Sequence, residues 1–203
     1  KNEPGIIYCL RRDDVDAVSQ ELTTMGVANV PYHAGLTDEV RREHQEKFAS
    51  EEVDLVVATV AFGMGIDRSN IRFVIHAALP KSVENYQQET GRAGRDGLPA
   101  FCYLLYGPKD YRTWAYLLGN VGHQEILLEK LKYLYSFCTQ PQCRHRVLTH
   151  YFGQTYEASS CKACDYCLGE MEMVEDSLIV AQKILSCVVR VNERFGAEHV
   201  AFV

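Results

Sequence analysis

The sequence predicts an α/β protein: a parallel sheet with flanking helices, followed by a mostly helical segment that holds a cluster of cysteines. Three observations predict it. Short apolar, β-branched runs alternate with segments of helical period as far as Tyr106. Beyond Tyr106 the strand signals stop and helical patterns continue. Cys161, Cys164 and Cys167 then follow one another with two residues between each pair. Strands separated by helices imply a parallel sheet covered on both faces, with ligands at the carboxyl ends of the strands.

The elements follow in order. Gly5 to Leu10 is a short apolar run and reads as a buried strand. Asp13 to Met25 carries apolar residues at a helical period and stops at Gly26. Val27 to His33 is a second strand. Thr37 is a helix N-cap with Asp38 and Glu39 in the first turn, and that helix reaches about Phe48. Val53 to Ala58 and Ile71 to Ala77 are the third and fourth strands. Ser82 caps the next helix, and Ala100 to Tyr106 is a fifth strand. Pro108 suits the first position of a helix. Helical patterns then cover 109–121 and 124–138, Cys143 to Phe152 up to Gly153, and Glu175 to Phe195, closed by Gly196. Tyr156 to Glu170 is loop-like. Cys9, Cys102, Cys138 and Cys187 read as small core residues.

Composition excludes several classes. With 47% apolar and 24% charged residues in 203, the chain is of ordinary globular type and long enough for one or two domains. No run of eighteen apolar residues occurs, so no transmembrane helix is expected. The net charge is −6, and neither the first 113 residues nor the remainder is basic. Any contact with nucleic acid must therefore be local, made by backbone amides and a few side chains. Eight cysteines, half of them in one cluster, fit a metal site in a reducing compartment better than a disulfide framework. The chain opens on Lys1 and closes on Ala201-Phe202-Val203, which reads as an excised piece of a longer protein.

Three constellations carry chemistry. The first is Gln88-Glu89-Thr90-Gly91-Arg92-Ala93-Gly94-Arg95-Asp96-Gly97. On a helical turn its two arginines, three apart, point the same way. Paired guanidiniums over a glycine-lined surface suit a polyanion such as a triphosphate. The second is the loop from Thr59 to Asp67 at the end of the third strand. Gly63 and Gly65 there can expose amides to a phosphate, and Arg68 breaks any dinucleotide fingerprint. The third is the cysteine cluster. Thiolates at this spacing wrap a tetrahedral zinc ion, with a fourth ligand from the region of Cys143. Cys138, His145 and His150 are rivals for that fourth place. Four protein ligands would make the zinc structural.

Together these strings resemble the RecQ family of superfamily-2 DNA helicases. The central string resembles motif VI. The loop after Thr59 resembles motif V, with Arg68-Ser69 where the family usually has Lys-Pro. Tyr32-His33-Ala34-Gly35-Leu36 resembles the segment after motif IV, and Gly5 to Leu10 with Arg11 and Arg12 resembles motif IV itself. Tyr86-Gln87 stands where two tyrosines are usual. Cys143-Arg144, Val147-Leu148 and Tyr151-Phe152-Gly153 before the three cysteines resemble the RecQ zinc-binding domain. Leu185 to Gly196 resembles the first helix of the RecQ winged helix.

The resemblance implies a second RecA-like lobe over 1–113, a helical zinc-binding domain over 114–172 and the start of a winged helix over 173–203. It implies Arg95 as the arginine finger on ATP with Arg92 assisting, Gln88 and Asp67 on the nucleotide, and Thr59, His33 and Gly35 on nucleic acid. It implies zinc on Cys143, Cys161, Cys164 and Cys167, and ATP with Mg2+ in the intact enzyme. The partners implied are DNA, single-stranded and at duplex junctions, and a first RecA-like lobe; no membrane is expected. The implied activity is 3′ to 5′ DNA unwinding in repair and recombination, nucleoid-associated in a bacterium or nuclear in a eukaryote. No Gly-x-x-x-x-Gly-Lys-Ser/Thr loop occurs, so this chain alone is expected not to hydrolyse ATP. Two other readings fit less of the sequence: an RNA helicase or other translocase using the same lobe, and a non-catalytic zinc-stabilised docking module.

Overall fold

The computed structural model describes residues 3–59, 62, 68–119, 123–194 and 196. They form two compact units, 1–140 and 141–203. The first is built on five strands: β1 (Gly5–Cys9), β2 (Val30–Tyr32), β3 (Leu55–Thr59), β4 (Phe73–His76) and β5 (Phe101–Leu104). They pair in the order β2-β3-β1-β4-β5, every pair parallel. The expected α/β class and parallel sheet are as observed.

The order of the strands decides where the helices lie. The path from β1 to β2 runs one way across the sheet; the paths from β2 to β3 and from β4 to β5 run the other way. Right-handed crossovers then put α1 (Arg12–Thr24) on one face and α2 (Asp38–Ala49) and α3 (Val83–Thr90) on the other. The packing agrees. Val15, Val18 and Leu22 of α1 cover Cys9, Val57 and Ile7. Phe48 of α2 and Ala93 beyond α3 join Ile6, Tyr8, Val56, Phe62 and Val74 on the opposite face.

Local chemistry sets the helix ends. The Thr37 hydroxyl accepts from the Val40 amide, and Ser82 accepts from Asn85. Gly26 takes φ +80° after α1. Two further helices, α4 (Pro108–Leu118) and α5 (Gln124–Thr139), belong to this unit. Pro108 holds the first position of α4, as expected. The Trp114 indole donates to the Leu79 carbonyl at 2.6 Å, and Phe137 packs on Tyr86. The expected boundary at residue 113 thus falls inside a helix whose next residue holds it to the sheet unit.

The second unit contains α6 (Arg144–Tyr151), a short α7 (Asp165–Leu168) and α8 (Ser177–Arg190). The helix expected up to Phe195 ends at Arg190, because Asn192 and Glu193 adopt positive φ. Phe195 lies outside the described residues. Most apolar residues of α8 are exposed, Leu178 at 71% and Val189 at 67%, with Val188 half-buried. Cys187, expected in a core, is only half-buried on that helix. Cys102 is also a correction: it is exposed, because β5 is an outer strand of the sheet. Cys9 and Cys138 are buried as expected. Among the described residues no helix is long and apolar enough to cross a membrane.

Arg68 holds the sheet unit together where Lys-Pro was the usual pattern. Its guanidinium donates to the carbonyls of Phe48 (3.0 Å) and Val53 (2.9 Å), to Asn70 Oδ1 and to Asp54 Oδ1 at 2.7 Å. It also lies 4.7 Å from the Phe48 ring centroid. Its charge is therefore spent inside the fold. Arg68→Ala should cost about 3 kcal/mol of unfolding free energy, since it strands buried carbonyls and a carboxylate. Urea denaturation of parent and variant checks this.

Candidate nucleotide, polynucleotide and metal sites

The central string does not stay helical. α3 ends at Thr90, and the chain turns through 91–98. Gly94 takes φ +66°, and a Cβ there would lie 3.0 Å from the Leu98 carbonyl, so only glycine fits without strain. Its amide donates to the Ile71 carbonyl at 2.9 Å. Arg72 grips Asp96 with two contacts of 2.6 Å and reaches the Pro99 carbonyl at 3.1 Å. These bonds pin the turn to the entry of β4.

The turn separates the two arginines, which is a correction to their expected common direction. Arg92 is buried and Arg95 is exposed. Arg95 Nε donates to the Gly91 carbonyl at 3.2 Å. Arg92 lies near the Tyr8 phenol, and its buried Nε has no hydrogen-bond partner. Burial raises the Tyr8 phenol well above its ordinary value, and the Arg92 charge acts in the opposite direction. Beside them His76 Nε2 and Glu89 Oε2 stand 2.6 Å apart, both buried. Gln88 is exposed at the end of the same helix.

At the carboxyl ends of the strands, Thr59 closes β3 beside Cys9 of β1. His33 follows β2. Its Nε2 meets Asp16 at 3.0 Å and its Nδ1 accepts from the Gly35 amide at 3.1 Å. Both ring nitrogens are thus engaged within the fold, and His33 is only 5% exposed. A Cβ on Gly35 would come within 3.0 Å of that ring, so glycine permits the close approach. Asp67, with Gly63 and Gly65, lies outside the described residues.

In the second unit, the ligand atoms of Cys143, His145, Cys161 and Cys164 all lie within 4.8 Å of one another. The expected ligand Cys167 lies beside this group and His145 takes a place within it; the Cys167 thiol neighbours those of Cys143 and Cys164 and the Ser160 hydroxyl. Tyr156 lies in the field of Cys143, Cys161 and Cys167. The Ser160 bond, with an amide bond from Cys161, pulls the Cys167 thiol down to about 6; desolvation pushes Cys161 up to about 12. A thiol already biased towards thiolate, beside one that resists ionising alone, fits a site completed by a dication. Tetrahedral zinc with its usual Zn–S bonds needs sulfurs about 3.8 Å apart, so small shifts suffice. Arg144 forks onto both Asp165 oxygens, at 2.9 and 2.8 Å, and ties the start of α6 to α7 between the cysteines.

Three family models cover almost the whole chain. The helicase conserved C-terminal domain matches residues 1–97, the RecQ zinc-binding domain 108–168 and the RQC domain 172–203. The chain belongs to the RecQ family. It is 42% identical over 206 residues to ATP-dependent DNA helicase RecQ of Bacillus subtilis, covering 100% of this chain and 34% of that protein. The Haemophilus influenzae protein of the same name is also 42% identical, over 100% of this chain and 33% of its own. The RecQ-like DNA helicase blm-1 of Caenorhabditis elegans is 38% identical over 93% of this chain and 20% of its own. The chain therefore spans about a third of the bacterial relatives it matches. A structure of yeast Dbp5 bound to Gle1 and IP6 shares the fold at a TM-score of 0.50 and 16% identity, over 64% of this chain and 39% of that one. In this RecQ-family chain the cysteine and histidine cluster serves a structural zinc.

Sequence reasoning missed Tyr8, His76 and Glu89. A tyrosine and a histidine inside apolar strand runs are the one signal that could have found them, since polar atoms buried there need partners.

Asp96 gives a test of the pinned turn. The Arg72 guanidinium and then the Leu98 amide hold its carboxyl below the usual carboxylate range. A depressed folded value means stability that is present above the unfolded value, near about 4, and is lost as pH falls through the folded value. Asp96→Asn should therefore lower stability at neutral pH and flatten its decline in acid. Urea midpoints measured at stepped pH check both.

Proposed function

We propose that this chain is the second motor lobe, the zinc module and the start of the winged helix of an ATP-dependent DNA helicase. The functional modules are 1–113, 114–172 and 173–203, with α4 shared across the first boundary. The observation that carries the reading is an exposed Arg95 on a pinned turn, in a chain whose family models run from helicase lobe to zinc domain to RQC.

ATP, with Mg2+, would occupy the cleft between this lobe and a first lobe, where its phosphate bonds supply the energy. Arg95 reaches the γ-phosphate and stabilises charge as it develops. Arg92 assists, and Gln88 and Asp67 hold the nucleotide. Thr59 grips the phosphates of a single strand, with the His33–Gly35 turn beside it. Closing and opening of the cleft then moves the lobe along DNA, 3′ to 5′, through junctions in repair and recombination. The acidic composition fits a grip that is local rather than spread over a basic face. Alone, the chain lacks a phosphate-binding loop and would not hydrolyse ATP.

Arg95→Ala in the full-length protein should lower DNA-stimulated hydrolysis by about a thousandfold, the scale of an arginine finger, with DNA affinity changed less than about twofold. An unaltered rate overturns the assignment. Stimulation by RNA as strong as by DNA would overturn the choice of polynucleotide.

For zinc we assign Cys143, Cys161, Cys164 and Cys167 as ligands, with His145 outside the first shell. Cys167→Ser should then lose zinc to a chelator at least about tenfold more readily, while His145→Ala keeps about one zinc per chain. Zinc content by atomic absorption after dialysis checks it; zinc lost from His145→Ala instead would reverse the assignment.

A further inference from the structure

Tyr8 stands between the two sites of the motor lobe. It lies inside β1 and is 2% exposed. Its hydroxyl donates to the Phe62 carbonyl at 3.3 Å. Phe62 belongs to the loop that follows Thr59, and its amide donates to the Thr59 carbonyl at 3.0 Å. Its ring is held between Tyr32, at 4.7 Å, and Phe48, at 5.9 Å. The guanidinium of Arg92 also acts on the Tyr8 phenol. The Tyr8 ring stacks on His76 at 5.3 Å, and His76 is paired with Glu89 of the helix that leads into Arg92.

A phenol has one proton to give and lone pairs to accept with. Here the proton goes to Phe62, beyond Thr59, and the guanidinium of Arg92 lies within reach of the phenol's field. A shift of the Phe62 carbonyl changes what the hydroxyl can offer Arg92. In a buried, water-poor setting such linked bonds strengthen or weaken together. We propose that Tyr8 is a positioning residue that couples strand binding at the Thr59 loop to the arginines of the 91–98 turn. The proposal rests on the helicase reading above. The plainer account is a buried tyrosine satisfied for stability alone. It predicts equal loss of all activities, so a ratio separates the two.

The test is Tyr8→Phe in the full-length protein, which keeps the ring and its stacking and removes only the hydroxyl. Rates are read at a temperature where circular dichroism shows both proteins folded. The ratio of DNA-stimulated to unstimulated hydrolysis should fall about tenfold, a common size for one coupling, with unstimulated rate and DNA affinity within about twofold of the parent. In an Arg92→Lys background the same change should have no further effect on the ratio. An unaltered ratio, a parallel loss of both rates, or additive effects in the double variant overturns the coupling. A parent whose hydrolysis ignores DNA overturns the helicase reading and the coupling with it.

Discussion

The contact on which the sheet unit depends is the pairing of Glu89 with His76 beneath helix α3. Both groups are withdrawn from water, and their 2.6 Å contact satisfies His76 Nε2 and Glu89 Oε2 while His76 Nδ1 stays without a partner. Burying ionisable groups is expensive, and a hydrophobic pair of similar volume could stabilise as well. What the polar pair adds is register. A carboxylate that must meet one imidazole fixes how α3 is rotated and how far it slides along β4. The turn that follows α3 inherits that setting, and Gly94 and Asp96 then lock it to Ile71 and Arg72. Arg92 is thereby held inside the lobe and Arg95 at its surface.

Much of the fold was legible because its period signals are strong. Parallel strands buried on both faces read as unbroken apolar runs, and Ile6 and Val56 to Ala58 are almost wholly enclosed. Caps were legible too, since Thr37 and Ser82 act through bonds to residues three positions on. The exact ends were not. β2 is only Val30–Tyr32, although the apolar run is longer, because Asn29 bonds to Ser19 and Thr23 and holds the preceding chain in a turn. Strand order carries no local signal, and it decides that Cys102 sits on an outer strand.

The sites divide the same way. The cysteine cluster was legible because three of its members are near neighbours in sequence, and thiolate chemistry narrows the use of such a group. That His145 also comes within reach was visible only as one of several rivals, and helix α6 brings it there, since Cys143 is its N-cap and His145 lies in its first turn. The arginines were legible as a pair, and their separation was not. Helical spacing argues for a common direction, but α3 ends at Thr90 and Gly94 enters the left-handed region. His33 illustrates the same limit. Its motif is a short string, yet what its ring does depends on Asp16, seventeen residues away on another helix.

Arg68 shows how a departure from a family pattern can be absorbed. A Lys-Pro pair stiffens a loop by fixing backbone angles and leaves its charge on a flexible stem. Arg68 works from the other end of the side chain: a rigid fork with five donors ties the loop exit to the end of α2, to Asp54 and to Asn70. The constraint moves from the backbone to a buried guanidinium, and the positive charge no longer faces solvent. Free positive charge at this corner is then scarce. In a chain of net charge −6 the candidates at the strand ends are few: Arg11, already paired with Asp14, and Arg12 beside Gly35. Around the end of β3 the fold is held by hydrogen bonds more than by free charge: Tyr8 to the Phe62 carbonyl on one side, and Arg68 to Phe48, Val53 and Asp54 on the other.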